Sequence, residues 1–419
     1  MSSNQPGTNA AAGQPETPVI ERQKRGGGTM IAVVVVIIVI IIVLAVGYYA
    51  GWFGTKTSST ASNSACLISN SAGVTAGKPS PVTLKGEGST LVAPLMDQWA
   101  TSYWTGSAVT YDSAGSSAGI TAITAKTVDF GASDAPLTPA QRVAFPSTVL
   151  TIPESAGGVV PIYNLPGVSA DLNFNGTVLA QIFDGTITDW NNSLLQSMNP
   201  GVTLPNDTIV PVHRTGGSGT TFIFTSFLTV ENAAWASTYN KGTSWPTNIT
   251  VGVGASGNGG EASTVDTTTY AIGYVDLNYA LNAGSGVGIG NVYNPSGHFI
   301  HATVADTESA LVDSNPTLPA GDGDWYNVSL LNAPGAGDYP ITSLTYVLVY
   351  QNLAAYTTYN LNYAENLVDF LHWIVSGSVQ QAYSALLYYV PLTTAIENAD
   401  NATINSMTFG GATIPVCVP

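Results

Sequence analysis

Three short segments of the chain combine glycine with serine or threonine directly before an apolar run. They are residues 86–90, 113–117 and 214–220. Glycine lets a ligand approach the backbone closely, and a helix that begins at such a turn presents unpaired N–H groups at the positive end of its dipole. One such turn is ordinary, because serine and threonine cap many helices. Three in one chain predict a binding site for an anion.

Arg214 opens the third of these turns. The chain has only four arginines, and two of them, Arg22 and Arg25, precede a long apolar segment near the N-terminus. A guanidinium group is a permanently charged, forked donor that suits oxyanions. We therefore expect Arg214 to bind the anion. The alternative is a structural arginine that pairs with an acidic side chain.

Asp134, in the run 128–136, adds an acid to a site meant for an anion. This makes sense if the ligand carries a proton, because an ionised carboxylate can only accept hydrogen bonds. Such a side chain would accept a hydrogen bond from a protonated phosphate and would repel fully ionised sulfate. The alternative is that Asp134 caps a helix that begins at Pro136.

Secondary structure must position these turns, and the chain predicts alternating strands and helices. An α/β chain with mostly parallel sheets binds its ligands at the carboxyl ends of the strands. The predicted strands are residues 82–88, 159–165, 209–214, 271–277 and 345–350, and the predicted helices are residues 91–103, 117–126, 219–230 and 363–375.

The composition argues against several classes of function. The 419 residues include 26 acidic and 10 basic side chains, a net charge of −16, which disfavours nucleic-acid binding through a basic face. Two cysteines cannot build a disulfide scaffold, a zinc ribbon or an iron–sulfur site. His298 and His301 have no clear third metal ligand, so we expect solvated or structural roles for both. We expect no metal, no cofactor and no catalytic residue.

An apolar segment near the N-terminus predicts a membrane anchor, residues 30–53. About 20 apolar residues cross a hydrocarbon core of roughly 30 Å. Basic residues before the segment and aromatic residues after it favour a cytoplasmic tail, 1–29, and an extracellular remainder. Residues 54–83, rich in Ser, Thr and Gly, indicate a stalk. We therefore expect a single-pass protein of the cell membrane, which suits an archaeal cell without a periplasm.

A cleaved signal peptide and a pilin-type signal cut near residues 26–28 are the alternatives for this segment. The low share of charged residues, 9%, is compatible with an acidic exterior. An oxidising exterior permits a disulfide between Cys66 and Cys417, and two unpaired cysteines are the alternative. Glycosylation sequons, which fit a surface glycoprotein, begin at Asn175, Asn191, Asn206, Asn248, Asn327 and Asn401.

Six segments carry a family resemblance: GEGSTLVAP, YDSAGSSAGI, VDFGASDAPL, HRTGGSGTTFIFTSFL, AIGYVDLNYA and YPITSLTYVLV. In this order, from residue 84 to about 395, the chain resembles the phosphate-binding protein of the high-affinity phosphate ABC transporter. The resemblance implies an α/β, two-lobed periplasmic-binding-protein-like fold of type II with two interlobe crossovers. Such a protein closes over one dehydrated phosphate and delivers it to the permease and ATPase subunits of the transporter.

The resemblance also implies the boundaries and the ligands. Lobe I would comprise residues 84–158 plus 345–419, and lobe II residues 159–344. By position, the phosphate ligands would be Thr90, Leu91, Ser116 and Asp134 from lobe I, and Arg214, Ser218, Gly219 and Thr220 from lobe II.

Two positions depart from the family pattern. Leu91 stands where the bacterial family often has phenylalanine, but the expected contact is through its backbone N–H group. Gly216 stands where many members have an aspartate that braces the arginine. This change leaves Arg214 less well oriented and less neutralised.

Two other classes of function remain as alternatives. An extracellular phosphatase would need a metal cluster or an activated nucleophile. Ser218 does not lie in a complete G-x-S-x-G motif, because Thr220 takes the final position. A surface or pilus-like structural protein fits the apolar N-terminal segment and the low charge, but leaves the three hydroxyl-rich turns unexplained. Arsenate is a variant ligand within the main interpretation.

Overall fold

The structure is a computed structural model that describes residues 79–103 and 107–415. The predicted cytoplasmic tail, the membrane anchor 30–53, residues 54–78 of the stalk, Cys66 and Cys417 lie outside the described residues. Within the described ranges, no helix combines the length and the apolar character that crossing a membrane requires.

Strands and helices alternate along the described chain, as the sequence predicts. The strands are β1 (Thr83–Gly88), β2 (Ala108–Asp112), β3 (Phe130–Ser133), β4 (Val149–Asn164), β5 (Asn173–Phe174), β6 (Val210–Arg214), β7 (Val253–Ala255), β8 (Ala271–Asp276), β9 (Val287–Ile289), β10 (Asn291–Tyr293), β11 (Phe299–Ile300), β12 (Thr342–Tyr350), β13 (Thr408–Phe409) and β14 (Ala412–Thr413). The α-helices are α1 (Ala93–Ser102), α2 (Ser116–Ala125), α3 (Pro139–Ala144), α4 (Gly176–Phe183), α5 (Ser193–Met198), α6 (Gly219–Glu231), α7 (Ala233–Thr238), α8 (Gly257–Thr267), α9 (Leu277–Leu281), α10 (Val304–Ser314), α11 (Leu361–Val375), α12 (Gly377–Tyr383) and α13 (Thr394–Asn405).

A nine-stranded sheet forms the centre of the fold, in the order β2-β1-β3-β12-β4-β8-β6-β7 with β9 beside β4. The prediction of mostly parallel sheets is wrong, because the central strands β12 and β4 pair antiparallel with each other and with their neighbours β3 and β8. The outer pairs β1–β2, β1–β3, β6–β7 and β6–β8 are parallel. The sheet is therefore mixed, and the parallel strand-to-helix units lie on both sides of an antiparallel centre.

Strand β4 changes its partner along its length. Residues Val149–Gly158 pair with β12, and residues from Val159 onward pair with β8 and β9. This change divides the sheet into a first half, which contains β1, β2, β3 and β12, and a second half, which contains β6, β7, β8 and β9. The prediction of a strand at 159–165 found only the second part of this element.

The predicted helices are confirmed to within a few residues, as α1, α2, α6 and α11. Each packs apolar side chains onto the sheet, with Trp99 of α1 and Phe370 of α11 completely buried. In the second half, the ring of Tyr274 stacks on Phe224 of α6 with ring centroids 4.2 Å apart. Aromatic packing of this kind holds both helix starts and strand ends in fixed positions. These ends form the candidate site.

Candidate functional site

The first turn connects β1 to α1 and places Ser89 and Thr90 at the centre of the molecule. Ser89 Oγ donates to Asp134 Oδ1 at 2.5 Å and accepts the N–H of Leu91 at 2.9 Å. Thr90 Oγ1 accepts the backbone and side-chain N–H groups of Asn258, at 3.2 and 3.0 Å. The Leu91 N–H expected to face a ligand is therefore engaged by Ser89 in this structure.

The second and third turns contact each other directly. Ser116 begins α2, and its Oγ accepts the N–H of Gly219 at 3.0 Å. The N–H of Ser117 donates to the carbonyl of Gly217 at 3.2 Å. A Cβ atom on Gly219 would lie 2.5 Å from Asp134 Oδ2 and 2.6 Å from Ser116 Oγ, so only glycine fits this contact. The third turn thus approaches the second from the other half of the sheet.

Ser218 and Thr220 lie at the start of α6. Ser218 caps the helix, since its Oγ accepts the N–H of Thr221 at 3.1 Å. Thr220 Oγ1 accepts a bond from Asn258 Nδ2 at 3.0 Å. Because the same amide also donates to Thr90, Asn258 bridges hydroxyls from the two halves of the sheet. Sequence reasoning missed Asn258, although the run 256–260 is another glycine-rich helix start.

Asp134 is almost completely buried, with 1% of its surface exposed. It does not cap a helix, because α3 begins at Pro139 and is capped by Thr138. Burial is the main cause that raises the pKa of Asp134, while hydrogen bonds from Ser89, Thr345 and Ser116 and the charge of Arg214 act to lower it. Oδ1 accepts from Ser89 and Thr345, and Oδ2 faces the glycine turn and accepts only a long bond of 3.5 Å from Ser116.

Arg214 ends β6 and is buried, with 3% of its surface exposed. Its Nε and Nη1 atoms have no hydrogen-bond partner, and within the described residues no carboxylate oxygen lies within 4.0 Å of the guanidinium group. The structural alternative, an arginine paired with an acid, is therefore not what the structure contains. Burying an uncompensated cation costs several kcal/mol, which points to an anionic ligand.

Three more acids are buried around this site, and the sequence analysis missed all of them. Glu154, Glu261 and Asp276 each have no exposed surface. Burial raises the pKa of Glu154 and of Glu261 to about 8, with Asp134 adding to the shift of Glu154 and Arg214 opposing that of Glu261. Burial also raises the pKa of Asp276 well above its usual range. For Glu154 and Asp276 a lone acid in a mostly apolar run was the available signal, whereas Glu261 lies in a glycine-rich polar run that gave none.

The structure thus places all eight predicted ligands at or beside the three glycine and hydroxyl turns, Leu91 through its backbone N–H group. A mixed α/β fold with hydroxyls, a buried arginine and buried acids at its centre is typical of a solute-binding domain of the periplasmic type. Consistent with this class, residues 58–378 match the model of the PBP superfamily domain.

Comparison with curated proteins gives the family. The chain is 35% identical over 321 residues to the phosphate-binding protein PstS of Xylella fastidiosa strain Temecula1, covering 74% of this chain and 82% of that protein. It is 34% identical to PstS of Pasteurella multocida, at 74% and 86% coverage, and 31% identical to PstS of Methanocaldococcus jannaschii, at 71% and 80% coverage. This chain belongs to the PstS family of phosphate-binding proteins.

A solved structure supports the fold. The periplasmic phosphate-binding protein PfluDING, bound with phosphate, superposes with a TM-score of 0.63 at 21% identity, covering 76% of this chain and 93% of that one. Membership of a solute-binding family excludes the phosphatase and the pilus-like interpretations, and the chain is not an enzyme.

Proposed function

We propose that this chain captures inorganic phosphate outside the cell and delivers it to an ABC transporter. Arg214 carries the proposal: a buried guanidinium group with two unpartnered nitrogen atoms stands near the equally buried Asp134. The arginine supplies a charge for an oxyanion, and the acid supplies an acceptor for a proton. A tetrahedral anion that still carries a proton satisfies both groups, and phosphate is such an anion at neutral pH.

We assign the binding contacts as follows. The guanidinium group of Arg214 donates to phosphate oxygens. The hydroxyl groups of the ligand set donate further hydrogen bonds to these oxygens, from Thr90, Ser116, Ser218 and Thr220. Asp134 accepts a hydrogen bond from the protonated ligand through Oδ2, because Oδ1 already accepts from Ser89 and Thr345, whereas Oδ2 accepts only a long bond of 3.5 Å from Ser116. The full set of proposed ligands is Thr90, Leu91, Ser116, Asp134, Arg214, Ser218, Gly219 and Thr220.

Binding requires the turns to exchange partners. The N–H of Leu91 donates to Ser89, and the N–H of Gly219 donates to Ser116, so both donors must turn to phosphate. Replacing one hydrogen bond by another costs little net free energy. We propose that two lobes, residues 84–158 plus 345–419 and residues 159–344, separate and close through two crossovers. The change of partners in β4 between Gly158 and Val159 supports this boundary.

Selectivity follows from Asp134. Fully ionised sulfate has no proton to donate, so its oxygen would face the carboxylate without a hydrogen bond in a buried site. Arsenate has the shape and the proton of phosphate and is the variant ligand. We therefore expect rejection of sulfate and discrimination between phosphate and arsenate only through size.

Isothermal titration tests this function directly. The full-length protein in detergent, stripped of bound phosphate, should bind one phosphate per chain at pH 7. Sulfate at the same ionic strength should give no heat of binding. Tight sulfate binding would refute the role of Asp134, and an absence of phosphate binding would refute the function.

We further propose that residues 30–53 anchor the protein in the cell membrane, above a cytoplasmic tail 1–29 and below a stalk 54–83. The anchor would hold the binding domain close to the permease and ATPase subunits of its transporter. A disulfide between Cys66 and Cys417 would tie the stalk to the C-terminus; two free thiols in mass spectra of non-reduced protein would exclude it. Of the sequon asparagines, the exposed ones are Asn191, Asn206, Asn248 and Asn327, and these are the proposed glycosylation sites.

A further inference from the structure

Glu154 lies in the middle of β4 at an irregularity in its pairing with β12. Thr345 pairs with Ser155, and the next residue, Tyr346, pairs with Pro153, so Glu154 is the extra residue of a β-bulge. A bulge re-aims one side chain relative to the regular alternation of a strand. Here it accompanies a fully buried acid whose Oε1 lies 3.2 Å from Thr345 Oγ1.

The hydrogen bonds of Thr345 fix where a proton must be. Thr345 Oγ1 lies 2.8 Å from Asp134 Oδ1 and 3.2 Å from Glu154 Oε1. A hydroxyl has one proton to donate, so it cannot donate to both carboxyl groups. If both carboxyl groups were ionised, one of them would face a lone pair of the Thr345 hydroxyl oxygen with no proton between them. One of the two acids therefore carries a proton and donates a hydrogen bond to Thr345 Oγ1.

The surroundings assign this proton to Glu154. Asp134 has a second hydroxyl donor in Ser89 at 2.5 Å and is stabilised by the charge of Arg214. Glu154 Oε2 has no partner, and within the described ranges no Lys, Arg or His nitrogen lies within 4.0 Å of Glu154. Gln380 of α12 donates to the backbone carbonyls of Glu154, at 2.8 Å, and of Ile374, at 2.7 Å, and not to the Glu154 carboxyl.

Burial and the neighbouring titratable groups also favour the protonated form of Glu154. Burial first, and then the charge of Asp134, raise the pKa of Glu154 to about 8, against the opposing hydrogen bond from Thr345. Tyr111 of β2 interacts with the same two carboxyls, and burial together with Glu154 and Asp134 raises its pKa well above its usual range, so it stays neutral. While Glu154 keeps its proton, the pair therefore holds at most one negative charge.

We propose that Glu154 is a neutral acid that donates to Thr345, which in turn donates to Asp134, so that this relay keeps Asp134 ionised as the acceptor of the ligand's proton. The inference rests on the proposed phosphate site and adds a positioning residue that does not touch the ligand. When Glu154 loses its proton, Thr345 is drawn between two anions, and a second buried negative charge opposes the incoming phosphate. Phosphate affinity should then fall as the pH rises through the alkaline range.

The experiment compares the wild-type protein with Glu154→Gln. Glutamine keeps the size of the side chain and offers an amide N–H to Thr345 at every pH. Phosphate dissociation constants are measured for both full-length proteins from pH 6.5 to 9.5. Between these limits the wild type should lose about tenfold or more affinity relative to E154Q, as loss of one bound proton requires. The ionisation of phosphate itself cancels in this comparison.

Two controls separate the relay from other effects. Asp400→Asn removes a buried acid of α13 outside the site, and its pH profile should follow the wild type. Thr345→Val removes the hydroxyl, and in that background the E154Q change should alter the profile by less, because only the direct charge effect of Glu154 remains. Equal profiles for wild type and E154Q would overturn the inference, and so would a difference that keeps its full size with Thr345→Val.

A measurement on the wild type alone guards against a variant that does not fold. At pH 8.5, titration in buffers of different ionisation enthalpy should show proton uptake when phosphate binds. Absence of uptake would overturn the relay while leaving phosphate binding intact. Failure of the wild type to bind phosphate at pH 7 would instead refute the proposed function.

Discussion

Replacing Arg214 by methionine separates a ligand-binding arginine from a structural one. Arg214 is 3% exposed, and two nitrogen atoms of its guanidinium group have no hydrogen-bond partner. Two unit charges about 4 Å apart interact with about 4 kcal/mol at an effective dielectric constant of 20. Removing one partner of a buried charged pair typically costs about 2–5 kcal/mol, which corresponds to a loss of roughly 30-fold to several thousand-fold in affinity. We expect a loss of phosphate affinity within this range.

The same substitution should not lower stability without phosphate. Among the described residues no carboxylate oxygen lies within 4.0 Å of the guanidinium group, and methionine removes the desolvation penalty of the buried charge. Arg214 also acts to lower the pKa values of Asp134 and Glu261, so both carboxyls should protonate more readily without it. Arg214→Met should therefore unfold at an equal or higher temperature than the wild type when phosphate is absent.

The assay is thermal unfolding with and without phosphate, together with isothermal titration. A ligand at about 1,000 times its Kd stabilises the wild type by about 4 kcal/mol, and an affinity loss of about 30-fold or more should reduce this increment to about 2 kcal/mol or less in the variant at the same phosphate concentration. Arg142→Met is the matched control, because Arg142 is partly exposed and its guanidinium donates to the carbonyl of Asp322. A variant that keeps its phosphate affinity but loses stability would refute the reasoning and make Arg214 structural.

Three further predictions concern the same site. Asp134→Asn should weaken phosphate binding by at least tenfold and allow detectable sulfate binding in a competition titration, because an amide can donate to an unprotonated oxygen; unchanged selectivity would contradict this. Gly219→Ala should abolish phosphate binding and lower the unfolding temperature, because the added Cβ would lie 2.5 Å from Asp134 and 2.6 Å from Ser116. Gly216→Ala is the control and should change neither property, because a Cβ at Gly216 meets no atom within 4 Å. Folding raises the pKa values of Glu154 and Glu261 from 4.5 to about 8. Without phosphate, the free energy of unfolding should therefore rise as the pH falls from about 8 toward 5, by up to about 1.4 kcal/mol per pH unit for each of these two acids. A thermal unfolding midpoint that drops over this range would contradict their burial.

The sequence could predict the turns because their signals are local. Glycine, a hydroxyl and an apolar helix follow one another within a few residues, and Arg214 stands out in a chain that is poor in cations. The starts of α2 and α6 are confirmed at Ser116 and Gly219. These helix starts depend on residues that are adjacent in sequence, so they can be predicted without tertiary information.

The antiparallel centre of the sheet could not be predicted in this way. All residues of β4 but the last are buried, so the strand shows no alternation of polar and apolar side chains. Its first part contains Pro153 and two adjacent glycines, which by composition indicate a loop. The partner that makes it a strand, β12, lies almost 200 residues away in sequence. Only tertiary pairing identifies this element.

The buried acids were missed for a related reason. Glu154, Glu261 and Asp276 lie within elements rather than turns, where an acid ordinarily faces solvent. These acids are buried because the two halves of the sheet lie close together. This closeness is a tertiary feature that no local sequence pattern predicts. Asn258, which bridges Thr90 and Thr220, depends on the same closeness.

A crystal structure of the phosphate complex would show where the ligand lies relative to Asp134 and Arg214. We expect one phosphate between the two halves of the sheet, with Asp134 Oδ2 at about 2.5–2.7 Å from one phosphate oxygen, as expected for an O–H···O⁻ bond. The Nε and Nη1 atoms of Arg214 should bind other oxygens of the same phosphate. A phosphate bound away from Asp134 and Arg214, or one whose nearest neighbour in place of Asp134 is a basic side chain, would contradict the account.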